Sequence, residues 1–449
     1  MHLAKGAVRV LAWVQRSESV LMRGRSFCIL LLLLSWALLP AHAQLRGHGG
    51  PVRALAVSSD GKRLVSASFD TTAITWSLAS GAAEKVLRFH EGAVNAVVVL
   101  QDGRIATSGE DARIAIWQPG DDKPVTILQG HTAPVVSLAV SPDGKTLASA
   151  SWDNTARLWP LGGGTPRVLE GHQQNVNGIA FTPDGRSVVT VGYDLTLRIW
   201  PIAGGGSPTI MTLPAPLNSV VVAPDGGIIT AGATGKVYFL SATGEMKGEV
   251  EAAAVPIIAL ALSGNGKLVA ASSVRGAVAI IERDGRKLAR TLVGPGLPAW
   301  SVAFLPDNGT LLTGGTDRLI RRWNALTGEH LGEVAMNGPP DPLAAYEGDP
   351  GAQVFRACVA CHTLKDDEGP RAGPTLAGIF GRRIAALPGY DFSPALKKLD
   401  IVWTPETVSK LFEIGPAAYT PGTKMPEQRV GAEDRAALVK FLEKVTPKR

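Results

Sequence analysis

Between residues 45 and 335 apolar and polar positions alternate in short runs, as in Val52-Arg53-Ala54-Leu55-Ala56-Val57 and Ala156-Arg157-Leu158-Trp159. A period of two predicts β-strands. The runs are punctuated by turn signals of one kind: Ser59-Asp60-Gly61, Gln101-Asp102-Gly103, Pro142-Asp143-Gly144, Pro183-Asp184-Gly185 and Pro224-Asp225-Gly226. The pattern changes after Asn337-Gly338-Pro339-Pro340-Asp341-Pro342, a stretch with the composition of a linker. Within residues 351–361, Val354, Phe355, Cys358 and Val359 fall on one face of a predicted helix. Residues 431–445 place Ala436, Leu438, Phe441, Leu442 and Val445 on one face of a second, amphipathic helix. The expected organisation is therefore a β region over 44–336, a linker over 337–349 and a helical region over 350–449.

The first 43 residues follow a different rule. Arg23 and Arg25 precede an apolar run at 27–39, and Ala41-His42-Ala43 puts small residues before Gln44. This is the layout of a cleavable signal peptide. The run is shorter than the ~18–20 residues needed to cross a bilayer, so cleavage is expected, with no membrane span left in the mature chain. An uncleaved anchor is the alternative. Met22 immediately precedes Arg23 and is a candidate true start. The expected location is the periplasm or another exported compartment.

The strand region repeats itself. Gly47-His48, Phe89-His90, Gly130-His131 and Gly171-His172 recur about every 41 residues, and the repeats close on Trp76, Trp117, Trp159, Trp200 and later Trp323. This period with a Gly-His opening and a Trp close resembles the WD-repeat family of β-propellers. Four repeats are regular. Those near 214–251 and 252–294 lack both His and Trp and carry Phe239 and Ile281 near the Trp position, and a seventh regains Asp317 and Trp323. Seven blades are expected. Glu329 to Glu333 can serve as the outer strand of the last blade, so closure by a strand from the N-terminus is not expected.

The resemblance assigns His48, Asp70 and Trp76, and their counterparts His90, Asp111, Trp117; His131, Asp153, Trp159; and His172, Asp194, Trp200, to a buried hydrogen-bonded relay. Any one of these groups buried without a partner would cost about 1–3 kcal/mol, so the histidines read as structural. Of the remaining histidines downstream of residue 43, only His330 and His362 are left, which argues against a catalytic centre in the ring. The residues before the turn aspartates are Phe69, Glu110, Trp152, Tyr193 and Thr316. Phe69, Trp152 and Tyr193 form a candidate patch for docking a partner protein; packing on neighbouring loops is the alternative.

Composition narrows the class. Of 449 residues 45% are hydrophobic, and Lys+Arg 45 against Asp+Glu 39 gives a net charge of +6. The charges are scattered without a basic tract, which speaks for solubility or an acidic protein partner and against nucleic-acid binding. With Cys28 in the leader, only Cys358 and Cys361 remain, so no disulfide framework is expected.

Those two cysteines stand in Cys358-Val359-Ala360-Cys361-His362, the spacing of covalent haem attachment: two thiols for thioethers and an adjoining imidazole for the iron. Gly373-Pro374-Thr375-Leu376-Ala377-Gly378-Ile379-Phe380-Gly381-Arg382, then Trp403, then Tyr419-Thr420-Pro421-Gly422-Thr423-Lys424-Met425 follow downstream. Over nearly all of 350–446 the sequence resembles class I cytochrome c of the c/c2 group. The fold expected is thus multidomain, an all-β seven-bladed propeller followed by an all-α class I cytochrome c domain.

The resemblance implies one covalent haem c on Cys358 and Cys361, with His362 and Met425 as axial iron ligands and the Pro374 carbonyl fixing the His362 tautomer. Arg382 and Trp403 would donate to a propionate, and Thr423 and Lys424 would shape the loop carrying Met425. Phe392 and Phe412 fall where the family places tyrosines. With the iron closed on both sides the chain reads as an electron carrier rather than a catalyst, with redox proteins as partners and Lys365, Lys397, Lys398 and Lys424 available to steer an acidic one. The alternatives are an oxidoreductase whose propeller binds a substrate or second cofactor, and a redox-responsive scaffold or sensor.

Overall fold

The computed structural model describes residues 45–203, 206–293, 297–331, 343–356, 358–359, 361–368, 370–425 and 430–446. The leader expected over 1–43 and the proline-rich stretch 337–342 lie outside the described residues. Among the described residues no helix is long and apolar enough to cross a membrane.

Seven four-stranded antiparallel sheets follow one another along the chain, a seven-bladed propeller. Blade one is Val52–Val57, Arg63–Ser68, Thr72–Ser77 and Ala83–Arg88. The Asp-Gly turns work as their chemistry demands. Ser58 Oγ and the Lys62 N–H both donate to the Asp60 carboxylate, at 2.6 and 3.0 Å, and Gly61 takes φ +68°. The second strand of each blade is the most buried, as in Arg63–Ser68 and Thr146–Ser151, and the hydrophobic clusters lie between neighbouring sheets. One joins Val65, Ala67, Ala73 and Leu87 of blade one to Val94, Val97, Ile105, Ala115 and Trp117 of blade two.

Each regular repeat holds its relay. His131 Nδ1 meets Asp153 at 2.7 Å and its Nε2 meets Ser149 Oγ at 2.7 Å, while Trp159 Nε1 donates to the same hydroxyl at 2.8 Å. The same arrangement links His48 with Asp70, Ser66 and Trp76, His90 with Asp111, Thr107 and Trp117, and His172 with Asp194, Thr190 and Trp200. Blade seven keeps the Trp323 bond to Thr313 at 3.0 Å. In blade five the register puts Leu240, paired with Ile228, at the Trp position, one residue beyond the expected Phe239, and in blade six Ile281, paired with Val269, stands there; both are buried apolar side chains.

These relays make the propeller acid-sensitive. Burial alone would raise the Asp111 carboxyl, but hydrogen bonds and charge from His90, with the Glu91 and Arg113 amides, outweigh it and hold the group at about 2. A carboxyl depressed on folding contributes stability that is complete above its unfolded value near 4 and is lost as pH falls towards 2. Thermal unfolding followed by circular dichroism from pH 5 to pH 2 is expected to show a steep fall in Tm. In Asp111→Asn the Tm is expected to start lower and to fall less steeply through that window; an unchanged slope would show that the native carboxylate is not held down.

Two expectations about the chain path are corrected. The ring is closed by the N-terminus after all: Leu45–Arg46 pairs with Leu319–Asn324, Leu45 opposite Ile320 and Arg46 opposite Leu319. The returning segment covers only the other end of that strand, through a Trp323–His330 bridge and the Leu331 N–H to the Arg322 carbonyl. Two short pieces thus share an edge that would otherwise leave unpaired backbone groups. Second, the linker does not extend to residue 349. Leu343 is already buried in the helical core, and Asp349 caps the helix that follows, accepting from the Gly351 and Ala352 N–H groups.

The C-terminal domain is helical: α1 (Pro350–Phe355), α2 (Pro394–Lys397), α3 (Pro405–Ile414), α4 (Pro416–Tyr419) and α5 (Ala432–Val445). The helix expected over 351–361 ends at Phe355, so Cys358 lies in a turn beyond it. α1 crosses α5 where Gly351 lets the backbones approach; a Cβ there would overlap Phe441 and the Ala437 carbonyl. Phe355 and Phe441 pack at 5.7 Å beside this crossing. On α5, Leu438, Phe441 and Leu442 are buried as expected, whereas Ala436 is exposed.

Candidate cofactor site

The Cys-x-x-Cys-His run folds as a tight turn leaving α1. The Cys358 N–H reaches the Phe355 carbonyl at 2.7 Å, and the Cys361 and His362 N–H groups both return to the Cys358 carbonyl, at 3.1 and 3.0 Å. Both thiols are free. Cys358 belongs to the buried core of the domain and Cys361 is half-buried. Burial pushes the Cys358 thiol up to about 11, and burial together with the nearby Asp70 carboxylate pushes Cys361 up to about 12. A redox dithiol or a thiolate metal ligand calls for the opposite shift. Two neutral thiols suit thioether formation, whose product carries no charge.

His362 is oriented by the loop that follows it. Its Nδ1–H donates to the Pro374 carbonyl at 2.7 Å, which leaves the Nε2 lone pair for a metal. Burial lowers the imidazole's pKa and the Pro374 bond opposes that; the neutral ring is the ligand form. A Cβ at Gly373 would come within 2.5 Å of His362 Cε1, so glycine is what allows the Pro374 segment this close.

Met425 packs against the same core as Cys358, Ile379, Phe380 and Phe412. Its N–H is tied to Thr423 Oγ1 at 3.1 Å, and the Thr423 N–H to the Thr420 carbonyl at 3.0 Å, so Thr423 shapes the loop. Arg382 and Trp403 are neighbours through backbone pairing, the Gly381 N–H to the Trp403 carbonyl and the Trp403 N–H to the Arg382 carbonyl. The Arg382 guanidinium donates to the Thr375 and Ala377 carbonyls, at 2.8 and 3.2 Å. The Trp403 indole N–H finds no acceptor among the described residues, as suits a group whose partner is the cofactor. Phe412 is a buried core side chain, and Phe392 stacks on Tyr390 at 4.6 Å. Paired thiols, an oriented imidazole, a core methionine, an open indole N–H and an apolar lining fit a haem.

On the propeller, Phe69, Trp152 and Tyr193 are 40%, 44% and 43% exposed. Phe69 also leans on Trp300 at 5.9 Å, and Trp152 Nε1 is anchored on Asn177 at 3.0 Å. Of the steering lysines, Lys365 and Lys398 are exposed, Lys397 pairs with Asp391 at 3.1 Å, and the Lys424 ammonium donates to the His90 carbonyl of the propeller. Arg88, Arg371 and Tyr390, which meet in the same region, were not picked out from the sequence. Their proximity arises only when the domains dock, and neither domain's motif includes them.

Comparison with known proteins finds two families along the chain. The family model "WD domain, G-beta repeat" matches residues 41–77, 81–118, 122–160, 163–201 and 286–324, and the family model "Cytochrome c" matches 348–446. Cytochrome c type-1 of Ascaris suum is 43% identical over 109 residues, covering 23% of this chain and 92% of that protein. The chain belongs to the cytochrome c family. Cytochrome c of Cochliobolus lunatus and of Arabidopsis thaliana are each 41% identical over 98 residues, covering 21% of this chain and 90% and 87% of theirs. This cytochrome c carries covalently bound haem c for electron transfer, and its WD40 propeller is a scaffold for protein interaction.

Proposed function

We propose that this cytochrome c is an exported one-electron carrier, periplasmic in a bacterial host, whose haem iron is held by His362 and Met425 and whose propeller docks redox partners. The observation that carries the reading is the His362 Nδ1 bond to the Pro374 carbonyl, because it fixes the tautomer a haem ligand needs. Cys358 and Cys361 would hold the haem through two thioethers. The Trp403 indole N–H and Arg382 offset propionate charge at the buried edge. Bound there, haem supplies exchange of a single electron between Fe(II) and Fe(III), and a thioether ligand favours the reduced state. Export rests on the leader pattern at 1–43 and on c-type attachment being chemistry of exported compartments.

The test is expression of the full chain in a host that attaches haem c in its periplasm. The mature protein is expected to begin at Gln44, to exceed the apoprotein mass by one haem that survives denaturation, and to show a methionine-to-iron charge-transfer band at neutral pH. Haem lost on denaturation would overturn covalent attachment. An absent band would overturn Met425, and a cytoplasmic product with residues 23–43 intact would overturn export.

A further inference from the structure

The C-terminal domain rests on the propeller through the side that carries Cys361. Gly49, in the loop opening blade one, is buried, and a Cβ on it would overlap Cys361 Sγ. The Ala372 N–H donates to the Gly47 carbonyl at 3.3 Å. Arg88, ending the outer strand of blade one, donates to the carbonyls of Arg371 and Ala372, the latter at 3.1 Å, and lies over the Tyr390 ring at 4.2 Å. The Tyr390 hydroxyl donates to the same Ala372 carbonyl at 2.7 Å. At the blade-two end Lys424 donates to the His90 carbonyl, with Glu91 and Asp111 close enough to act on its charge.

Blade one differs from the other regular blades at this contact. In every regular repeat the residue after the relay histidine sends its N–H to the relay aspartate: Gly49 to Asp70, Glu91 to Asp111, Thr132 to Asp153, Gln173 to Asp194. The position carries polar side chains, Glu91, Thr132 and Gln173, in the other three blades. Only in blade one is it glycine, and only there does it face Cys361.

We infer that the loops of blades one and two are an internal partner for the cytochrome domain, capping the Cys361 edge and keeping other proteins from it. This rests on haem attachment at Cys361. A thioether there bonds directly to the rim of the macrocycle, so an atom touching Sγ covers the edge a redox protein must approach. A small inorganic ion needs far less room. The propeller therefore both offers the exposed Phe69, Trp152 and Tyr193 surface and sets which electron acceptors reach the haem.

The test uses the full holoprotein and two variants, Gly49→Gln, the residue blade four carries at this position, and Arg88→Glu. Hydrogen exchange of the Ala372 amide reads the contact without redox chemistry. Stopped-flow oxidation reads access: one electron leaves the ferrous chain and reduces either Cu(II) of a small cupredoxin or hexacyanoferrate(III). Each variant is expected to speed Ala372 exchange about tenfold, equivalent to about 1.4 kcal/mol of closure. The cupredoxin rate is expected to rise by a similar factor while the hexacyanoferrate rate stays within about twofold. Equal Ala372 exchange and an equal ratio of the two rates in wild type and both variants would overturn the cap. Missing haem absorbance would instead count against attachment at Cys361, and the amide exchange would still decide the contact.

Discussion

Met425→Ala is expected to leave the haem covalently attached and to lower its reduction potential by on the order of 0.1–0.3 V, a substantial part of the roughly 0.8 V that axial ligands span. A thioether stabilises the reduced iron, and removing it opens the sixth position. The substitution is clean because the loop is held by backbone and threonine bonds, Met425 N–H to Thr423 and Thr423 N–H to Thr420, that do not involve the methionine side chain. A potentiometric titration should show the fall, the charge-transfer band should vanish, and added imidazole should bind at concentrations that leave the wild type unchanged. An unaltered potential with no gain of imidazole binding would show that another group holds that position.

Trp117→Ala is expected to be the most damaging propeller substitution considered, at about 4–6 kcal/mol. Trp117 is fully buried in the cluster joining blades one and two, and its Nε1 donates to Thr107 at 3.0 Å. Truncating a buried tryptophan costs about 3–5 kcal/mol through lost contacts and the cavity left behind, and losing the donor to a buried hydroxyl adds about 1 kcal/mol. Trp117→Phe keeps much of the ring's packing and is expected to cost about half as much. Urea unfolding followed by far-ultraviolet circular dichroism measures both. A midpoint for Trp117→Ala within error of wild type would mean that this interface does not limit the stability of the ring.

The resemblance to WD repeats picked out the His, Asp and Trp of each regular relay, but the hydroxyl they share, Ser66, Thr107, Ser149 or Thr190, emerged only in the fold, because Ser and Thr recur along many strands. Blades five and six were harder. Leu240 and Ile281 replace the tryptophan with side chains that fill the space without a hydrogen bond, so the polar signature vanishes while the strand alternation remains. At the cofactor site Cys358, Cys361 and His362 were legible from the spacing that thioether attachment and an adjoining ligand require, whereas Pro374 came from the resemblance to class I cytochrome c. The end of α1 was misjudged because Cys358 and Val359 extend an apolar helical pattern. In the fold these residues instead turn, with the Cys361 and His362 amides folding back on the Cys358 carbonyl.

The sequence by itself determined the seven-unit strand repeat, the change to helical periodicity, the buried relay and the cofactor motif. All of these are set by contacts within one repeat or one domain, whose spacing is written along the chain. Only the tertiary structure decided that Leu45–Arg46 closes the ring and that Gly49 and Arg88 meet the Cys361 edge. Both are contacts between segments more than 250 residues apart, held by backbone groups and a missing side chain. A carbonyl looks the same at every position, and a glycine reveals why it is there only when its neighbour in space is known.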